Sequence, residues 1–125
     1  MIRIAVVAAA VALATTSSLA QEPLYKPSNP AANTYSAIYL INLCGLARLG
    51  DRERLTYLDG WSAKYEKVRF SSKAARLEAA MANPQMRANL CRAAQAQNTD
   101  ATRAKWDENI ELARIYERKL AAGER

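Results

Sequence analysis

The sequence predicts an all-α fold: a small bundle of four to five helices with one disulfide bond, following a cleaved signal peptide. Apolar residues recur at three- and four-residue spacing in several segments, which is the period of an amphipathic helix. Sustained alternation of apolar and polar residues does not occur, and β-branched residues are sparse after the signal. The chain has two cysteines, Cys44 and Cys91, which can form one bond.

Residues 1–20 have the three parts of a secretory signal peptide. Arg3 gives a positive start, an uninterrupted apolar run follows, and Ser18 and Ala20 supply the small side chains that signal peptidase needs. The apolar run is short beside the roughly 20 residues of a membrane anchor. We therefore expect cleavage between Ala20 and Gln21 and a periplasmic or secreted mature chain. No cysteine stands at the cleavage site to carry a lipid, and no transmembrane helix is predicted in the mature chain.

The two cysteines are expected to form a disulfide bond. In an exported protein an even number of cysteines normally pairs. A bond between Cys44 and Cys91 would close a loop of about 48 residues, which removes unfolded-state entropy worth about 4 kcal/mol in the chain-entropy model. Two buried free thiols are the alternative. Redox catalysis is not expected, because the chain has no C-x-x-C pair.

Residues 21–29 contain two prolines and no helical period, so they predict an extended N-terminal arm ahead of a helical domain at residues 30–123. The arm could dock a partner through Leu24 and Tyr25, or it could be a plain linker. Asn29, followed by proline, predicts the cap of the first helix.

The first helix is predicted to run from Pro30 to about Leu49 and to end at Gly50. Its second half, residues 35–49, is apolar on nearly all sides. Such a helix must be surrounded by others, so it is expected at the centre of the fold.

Asp51 predicts the cap of a second helix, which extends from Arg52 to about Arg69. Asp59 and Gly60 interrupt this segment and could form a turn. One apolar stripe keeps its phase across them, which favours a continuous helix. The stripe consists of Leu55, Leu58, Trp61, Tyr65 and Val68.

Three further helices are predicted from local start and stop signals. Two serines before Lys73 predict a helix over residues 73–82, and Asn83 predicts the cap of a helix over residues 84–97. Thr99 or Asp100 would cap the last helix, residues 101–122. Trp61 and Trp106 each lie in the middle of an apolar stripe and are expected in the core.

The composition excludes several kinds of chemistry. The chain has no histidine, so it lacks the commonest general base and the commonest metal ligand. Glycine-rich phosphate loops are absent. In the one acidic cluster, residues 107–111, Arg103–Asp107 and Glu111–Arg114 have the spacing of surface ion pairs. We therefore predict no catalytic residue, no metal and no cofactor, and a protein that is not an enzyme.

Charge provides the candidate binding site. Lysine and arginine number 18 against 12 acidic residues, a formal net charge of +6. A basic stretch forms the candidate binding patch, and Arg87 and Arg92 would extend it if the third and fourth helices fold back on the second. A solvated helix face with the loop after it is the alternative interpretation. The patch consists of Lys64, Lys67, Arg69, Lys73 and Arg76.

In layout the chain resembles the small exported one-disulfide helical proteins of Gram-negative bacteria. These include periplasmic acid-stress chaperones and helical immunity proteins that neutralise secreted cell-wall toxins. The resemblance consists of the signal, Cys44, Cys91 and the helix content, and it carries over no functional residue. The basic charge of this chain departs from the balanced charge expected of the acid chaperones.

Two functions are predicted. The first is a periplasmic binding protein that acts by protein–protein contact, as an inhibitor or immunity protein, a stress chaperone or an assembly accessory factor. Its partner would be another periplasmic or envelope protein with an acidic surface and not a nucleic acid, while contact with an anionic membrane surface stays open. The second is a bundle that binds a lipid or another apolar ligand in an aromatic cavity lined by Tyr35, Tyr39, Trp61, Tyr65 and Trp106.

Overall fold

A computed structural model of the protein describes residues 23–125. The predicted signal peptide and its cleavage site, between Ala20 and Gln21, lie outside this range. Within it the chain is helical and has no strand, which confirms the all-α prediction. The helices are α1 (Ser28–Leu43), α2 (Asp51–Tyr65), α3 (Phe70–Lys73), α4 (Ala75–Met81), α5 (Pro84–Gln97) and α6 (Asp100–Ala121). Helices α3 and α4, which are separated only by Ala74, take the place of the predicted third helix.

Helix α1 lies at the centre of the fold, as its composition predicts. It packs against α2, α3, α5 and α6. Its Tyr35, Ile38 and Ile41 are buried against Leu58 of α2 and Ile110 of α6. Because such apolar side chains each contribute about 1.5–3 kcal/mol when fully buried, this cluster is the main source of stability in the bundle.

The predicted end of α1 at Leu49 is wrong, because the helix stops at Leu43. Gly45 has a φ of +73°, which a glycine adopts without steric cost. The N–H of Leu46 donates to the carbonyl of Ile41 at 3.0 Å, the bond expected for a helix that ends on such a glycine. Gly50, predicted as the stop, instead precedes α2 and has a φ of +91°. Leu49 lies in the loop and is fully exposed.

Helix α1 also begins earlier than predicted, at Ser28. Asn29 lies inside the first turn and does not cap the helix, since Pro27 occupies the cap position. Pro30 is tolerated there because the N–H groups of a first turn have no partner within the helix. Pro27 is fully buried, so the arm is attached to the domain at this point.

Helix α2 continues through Asp59 and Gly60, as the phase of its apolar stripe predicts. It ends at Tyr65 and not at Arg69, because Glu66 has extended backbone angles (φ −115°, ψ 155°). Val68 therefore leaves the buried stripe to which it was assigned and lies in the segment that joins α2 to α3, where 48% of it is exposed.

Helices α4 and α5 form a hairpin, residues 75–97, on one side of α1. The bounds of α5 match the prediction, and the side chain of Asn83 caps it by accepting hydrogen bonds from the N–H groups of Gln85 (3.0 Å) and Met86 (3.1 Å). The predicted disulfide is confirmed: it joins Cys44, just after α1, to Cys91 in the middle of α5, with 5.5 Å between their Cα atoms.

Helix α6 closes the bundle on the other side. Thr99 caps it by accepting from the N–H of Thr102 at 3.2 Å, which decides between the two predicted caps. Trp106 and Trp61 are both in the core, as predicted. The indole N–H of Trp61 donates to the carbonyl of Ala113 at 3.2 Å, so its polar edge is satisfied inside the protein.

Candidate functional site

Two adjoining surface grooves lie where α2 gives way to α3 and α4. The larger has a volume of about 670 Å³ and the smaller about 530 Å³. Val68 and Lys73 line both, so the two grooves meet at these side chains. We call the two together the basic groove and define it by Lys26, Lys64, Lys67, Val68, Lys73 and Arg76.

The predicted patch is thus largely brought together. Lys64 lies in the last turn of α2, Lys67 in the segment after it, Lys73 at the end of α3 and Arg76 in α4. Arg69 is the exception: its guanidinium pairs with the carboxylate of Asp59 at 2.7 Å and does not line either groove.

The segment between α2 and α3 is anchored by side chains of α2. The hydroxyl of Ser62 accepts from the N–H of Phe70 at 2.9 Å, and the carboxylate of Asp59 accepts from the N–H of Ser71 at 3.0 Å. Burial alone would raise the pKa of Asp59, but hydrogen bonds from Ser71 and Arg69 outweigh burial and hold that pKa below its ordinary value. The start of α3 is therefore fixed, and the groove has a defined wall.

The N-terminal arm contributes Lys26 to the lining of the groove. The ammonium group of Lys26 donates to the carbonyl of Tyr65 at 2.8 Å and pairs with Glu66 at 3.2 Å. These contacts hold the arm against the end of α2. Sequence reasoning missed Lys26 because it is distant along the chain from the basic stretch, and no local pattern links the two.

The cations of the groove differ in how far they are neutralised. Lys64 has a distant partner in Glu117 at 3.7 Å, and Lys26 is paired with Glu66. Within residues 23–125, Lys67, Lys73 and Arg76 form no ion pair. Positive charge is therefore concentrated around the junction of the two grooves, where it can attract an anion.

The extension of the patch to Arg87 and Arg92 is not observed. Arg87 folds back, and its Nε donates to the carbonyl of Met81 at 2.9 Å at the end of α4. Neither arginine lines the basic groove. Helix α5, which carries both arginines, packs mainly on α1 and α4.

A second polar cluster centres on Asp51. The prediction that Asp51 caps the second helix is wrong, because Gly50 holds the cap position and Asp51 is the first residue of α2. Asp51 is buried and accepts hydrogen bonds from Arg103 of α6, from Arg54 at 3.1 Å and from the N–H of Arg48 at 2.8 Å. Burial would raise the pKa of Asp51, but these hydrogen bonds and the two guanidinium charges outweigh it and lower the pKa. The cluster joins α2 to α6, and we interpret it as structural.

This cluster overturns one predicted ion pair. Arg103 bonds Asp51 and not Asp107, which instead accepts from Arg54 at 2.9 Å. Arg103 pairs with the buried carboxylate of Asp51 in preference to the exposed carboxylate of Asp107 on its own helix, because an ion pair is stronger where water is excluded. The other predicted pair, Glu111–Arg114, is present at 3.9 Å.

Phenol groups surround Glu117 next to the basic groove. Its carboxylate accepts from the hydroxyl of Tyr57 and, at 3.3 Å, from that of Tyr65. Burial first, and then the bond to Glu117, raises the pKa of Tyr57. The phenol of Tyr57 therefore remains a neutral donor at ordinary pH, and the arrangement positions Glu117 near Lys64.

Four of the five aromatic residues proposed to line a ligand cavity form two contacting pairs, Tyr35 with Tyr39 and Trp61 with Tyr65. Tyr35, Trp61 and Trp106 are buried in the core. Trp61 lies 5.4 Å from Tyr65 and 6.2 Å from Phe70, measured between ring centroids. Tyr65 lines the basic groove, and Trp106 lines a smaller pocket of about 230 Å³ between α1 and α6.

Between residues 23 and 125, no cluster of three or more histidine, cysteine or acidic side chains is arranged to hold a metal ion. No helix in the same range combines the length and apolar composition that a membrane span requires. No protein-family model matches the chain, and no curated protein or solved structure shows significant similarity to it.

Proposed function

We propose that this is an exported, periplasmic binding protein that acts by contact with an acidic surface of another envelope protein, and that the basic groove is the contact site. Inhibition, chaperoning and assembly assistance are the roles that fit such contact. The proposal assigns binding and no catalytic step.

The convergence of Lys67, Lys73 and Arg76 around Val68 carries this proposal. Within the described residues these cations have no carboxylate partner, and they border a concave surface with a half-exposed apolar centre. Complementary charge guides association and selects the partner, and an apolar contact that loses water adds affinity. The disulfide supports export, because such bonds persist in oxidising compartments.

The proposal is tested by affinity capture from a periplasmic extract with three single-residue variants that change the net charge equally. Lys67→Glu and Lys73→Glu reverse charges in the groove. Lys119→Glu reverses an exposed charge on α6 that does not line the groove. We expect wild-type protein and Lys119→Glu to retain an acidic partner that both groove variants lose.

The captured partner is then purified and titrated against the same variants. Affinity should fall at least about tenfold in each groove variant and should weaken further as salt is raised, because exposed charges are screened. Equal affinity of Lys67→Glu and wild type for every captured protein would contradict the proposal.

A further inference from the structure

The segment between α2 and α3 presents main-chain donors as well as charged side chains. Glu66 at its start and Arg69 at its end have extended backbone angles, the latter with φ −63° and ψ 145°. Within residues 23–125, the N–H groups of Lys67, Val68 and Arg69 donate no hydrogen bond. Backbone N–H groups require partners, so this exposed segment can donate to the oxygens of a ligand.

Positive charge lies on both sides of Val68 along the groove. Lys64 and Lys67 border the larger part, and Arg76 borders the smaller part, while Val68 and Lys73 line both. A ligand that spans both parts therefore contacts lysines in the larger part, Val68 where the two parts meet, and Arg76 in the smaller part. A small inorganic anion would use the charges and leave Val68 unused.

The shape of the groove narrows the choice of occupant. Its larger part alone has a volume of about 670 Å³, and Phe70 and Ala32 are among the residues that line it. A flat acidic surface of a folded protein would contact the rim and not the floor. An extended chain can enter, pair its carbonyl oxygens with free N–H groups and place alternate side chains in the groove.

We propose that the basic groove binds an extended acidic segment of the partner protein, with one apolar side chain against Val68 and carboxylates on either side of it. This inference rests on the proposed function and specifies the chemistry of the partner. Lys67 recognises acidic residues on one side of the apolar residue, Arg76 recognises those on the other, and Lys73 lies between them.

The test uses the mature full-length domain and a blocked acidic peptide of aspartate and glutamate with one central leucine. Binding is measured by fluorescence anisotropy of the labelled peptide. Lys67→Glu and Arg76→Glu should each weaken binding at least about tenfold, whereas Lys119→Glu should stay within about twofold of wild type. Circular dichroism confirms that each variant is folded.

The apolar contact has a matched control in the hairpin. Val68 and Met86 are 48% and 47% exposed, and only Val68 lies in the groove. Val68→Ser should weaken binding of the leucine peptide several-fold, and Met86→Ser should leave it unchanged. A peptide with serine in place of leucine should bind wild-type protein and Val68→Ser with equal affinity.

Three outcomes would overturn the inference. If the serine peptide binds wild-type protein as tightly as the leucine peptide, the groove attracts any acidic chain. If neither peptide binds but a folded partner is captured through Lys67 and Lys73, the proposed function stands and the extended ligand does not. If vesicles of phosphatidylglycerol bind through Lys67 and no acidic peptide or protein does, both proposals fail.

Discussion

The bundle of α1, α2 and α6 and the α4–α5 hairpin are held in place by different means. In the bundle, aromatic side chains of α2 and α6 contact one another: the ring centroids of Tyr65 and Tyr116, for example, lie 5.3 Å apart at right angles. Phe70 of α3 connects this group to Tyr35 of α1. In the hairpin, residues 75–97, only Met81 and Ala94 are buried, and most of α5 faces solvent. Packing fixes the bundle, whereas the Cys44–Cys91 bond supplies much of what fixes the hairpin.

The basic groove lies across the boundary between these two regions. Lys64 and Lys67 belong to the end of the bundle, and Lys73 and Arg76 lead into the hairpin. The separation between the two sets of cations therefore depends on the hairpin keeping its position. A second link between the regions is a hydrogen bond that the hydroxyl of Tyr39 on α1 donates to Glu78 on α4. This hydrogen bond, together with burial, raises the pKa of Tyr39 to about 12.

The largest expected effect is on the bundle. Trp61 is 1% exposed and contacts three aromatic rings, so Trp61→Ala should lower the free energy of unfolding by about 4 kcal/mol. Met86→Ala in the hairpin should change it by less than about 0.5 kcal/mol, because Met86 is half exposed. Urea unfolding followed by circular dichroism measures both. Similar losses in the two variants would remove the distinction between the regions.

The second effect separates the hairpin from the bundle. Replacing Cys44 and Cys91 together by serine should cost about 3 kcal/mol, because the bond closes a loop with a sequence separation of 47. The expected loss is smaller than the chain-entropy value of about 4 kcal/mol because unfolded chains retain some structure. Amide hydrogen exchange in α4 and α5 should accelerate far more than exchange in α1 and α2. Loss of protection by all helices to the same extent would show that the bundle also depends on the bond.

The third effect concerns the ion pair that joins α2 to α6. Asp51→Asn leaves the buried Arg103 without a counter-ion and should cost about 3 kcal/mol. Asp100→Asn, which removes only the exposed pair with Arg48, should cost less than about 0.5 kcal/mol. Urea unfolding of both variants at neutral pH checks this difference, and an equal cost would contradict a structural role for Asp51.

The pH dependence of this effect has a defined sign. The pKa of Asp51 is lower in the folded protein than its ordinary value of about 3.9. Its stabilising contribution is therefore fully present above that value and is lost as pH falls through the lower, folded pKa. The stability difference between wild type and Asp51→Asn should stay constant from pH 7 to about pH 5 and shrink below about pH 4.

Local signals allowed the prediction of some elements and not others. Helix α5 is predicted with its observed bounds because Asn83 and Pro84 act within one turn of the residues that they cap. The end of α1 is missed because Gly45 and Gly50 are both suitable stops, and the packing of Leu46 on the core decides between them. That packing has no local signature in the sequence.

The candidate site shows the same limit. Its charge chemistry is visible in the sequence, since Lys64, Lys67, Lys73 and Arg76 occur close together. Arg69 is neutralised by Asp59, which comes close only because of the way the segment after α2 folds back. Lys26 contributes to the groove only because the arm lies against the end of α2. The exposure of Val68 likewise follows from the end of α2 at Tyr65, which its helical period did not predict.

The position of the partner is tested most directly by nuclear magnetic resonance of the isotope-labelled protein, titrated with the acidic leucine peptide. Binding in the basic groove predicts that amide chemical shifts change at Lys26 and between Lys64 and Arg76, with the amides of residues 67–69 among the largest changes. Changes that cluster on the outer face of α5, or along α6 around Lys119, would show that the partner binds elsewhere and would contradict the assignment of this groove.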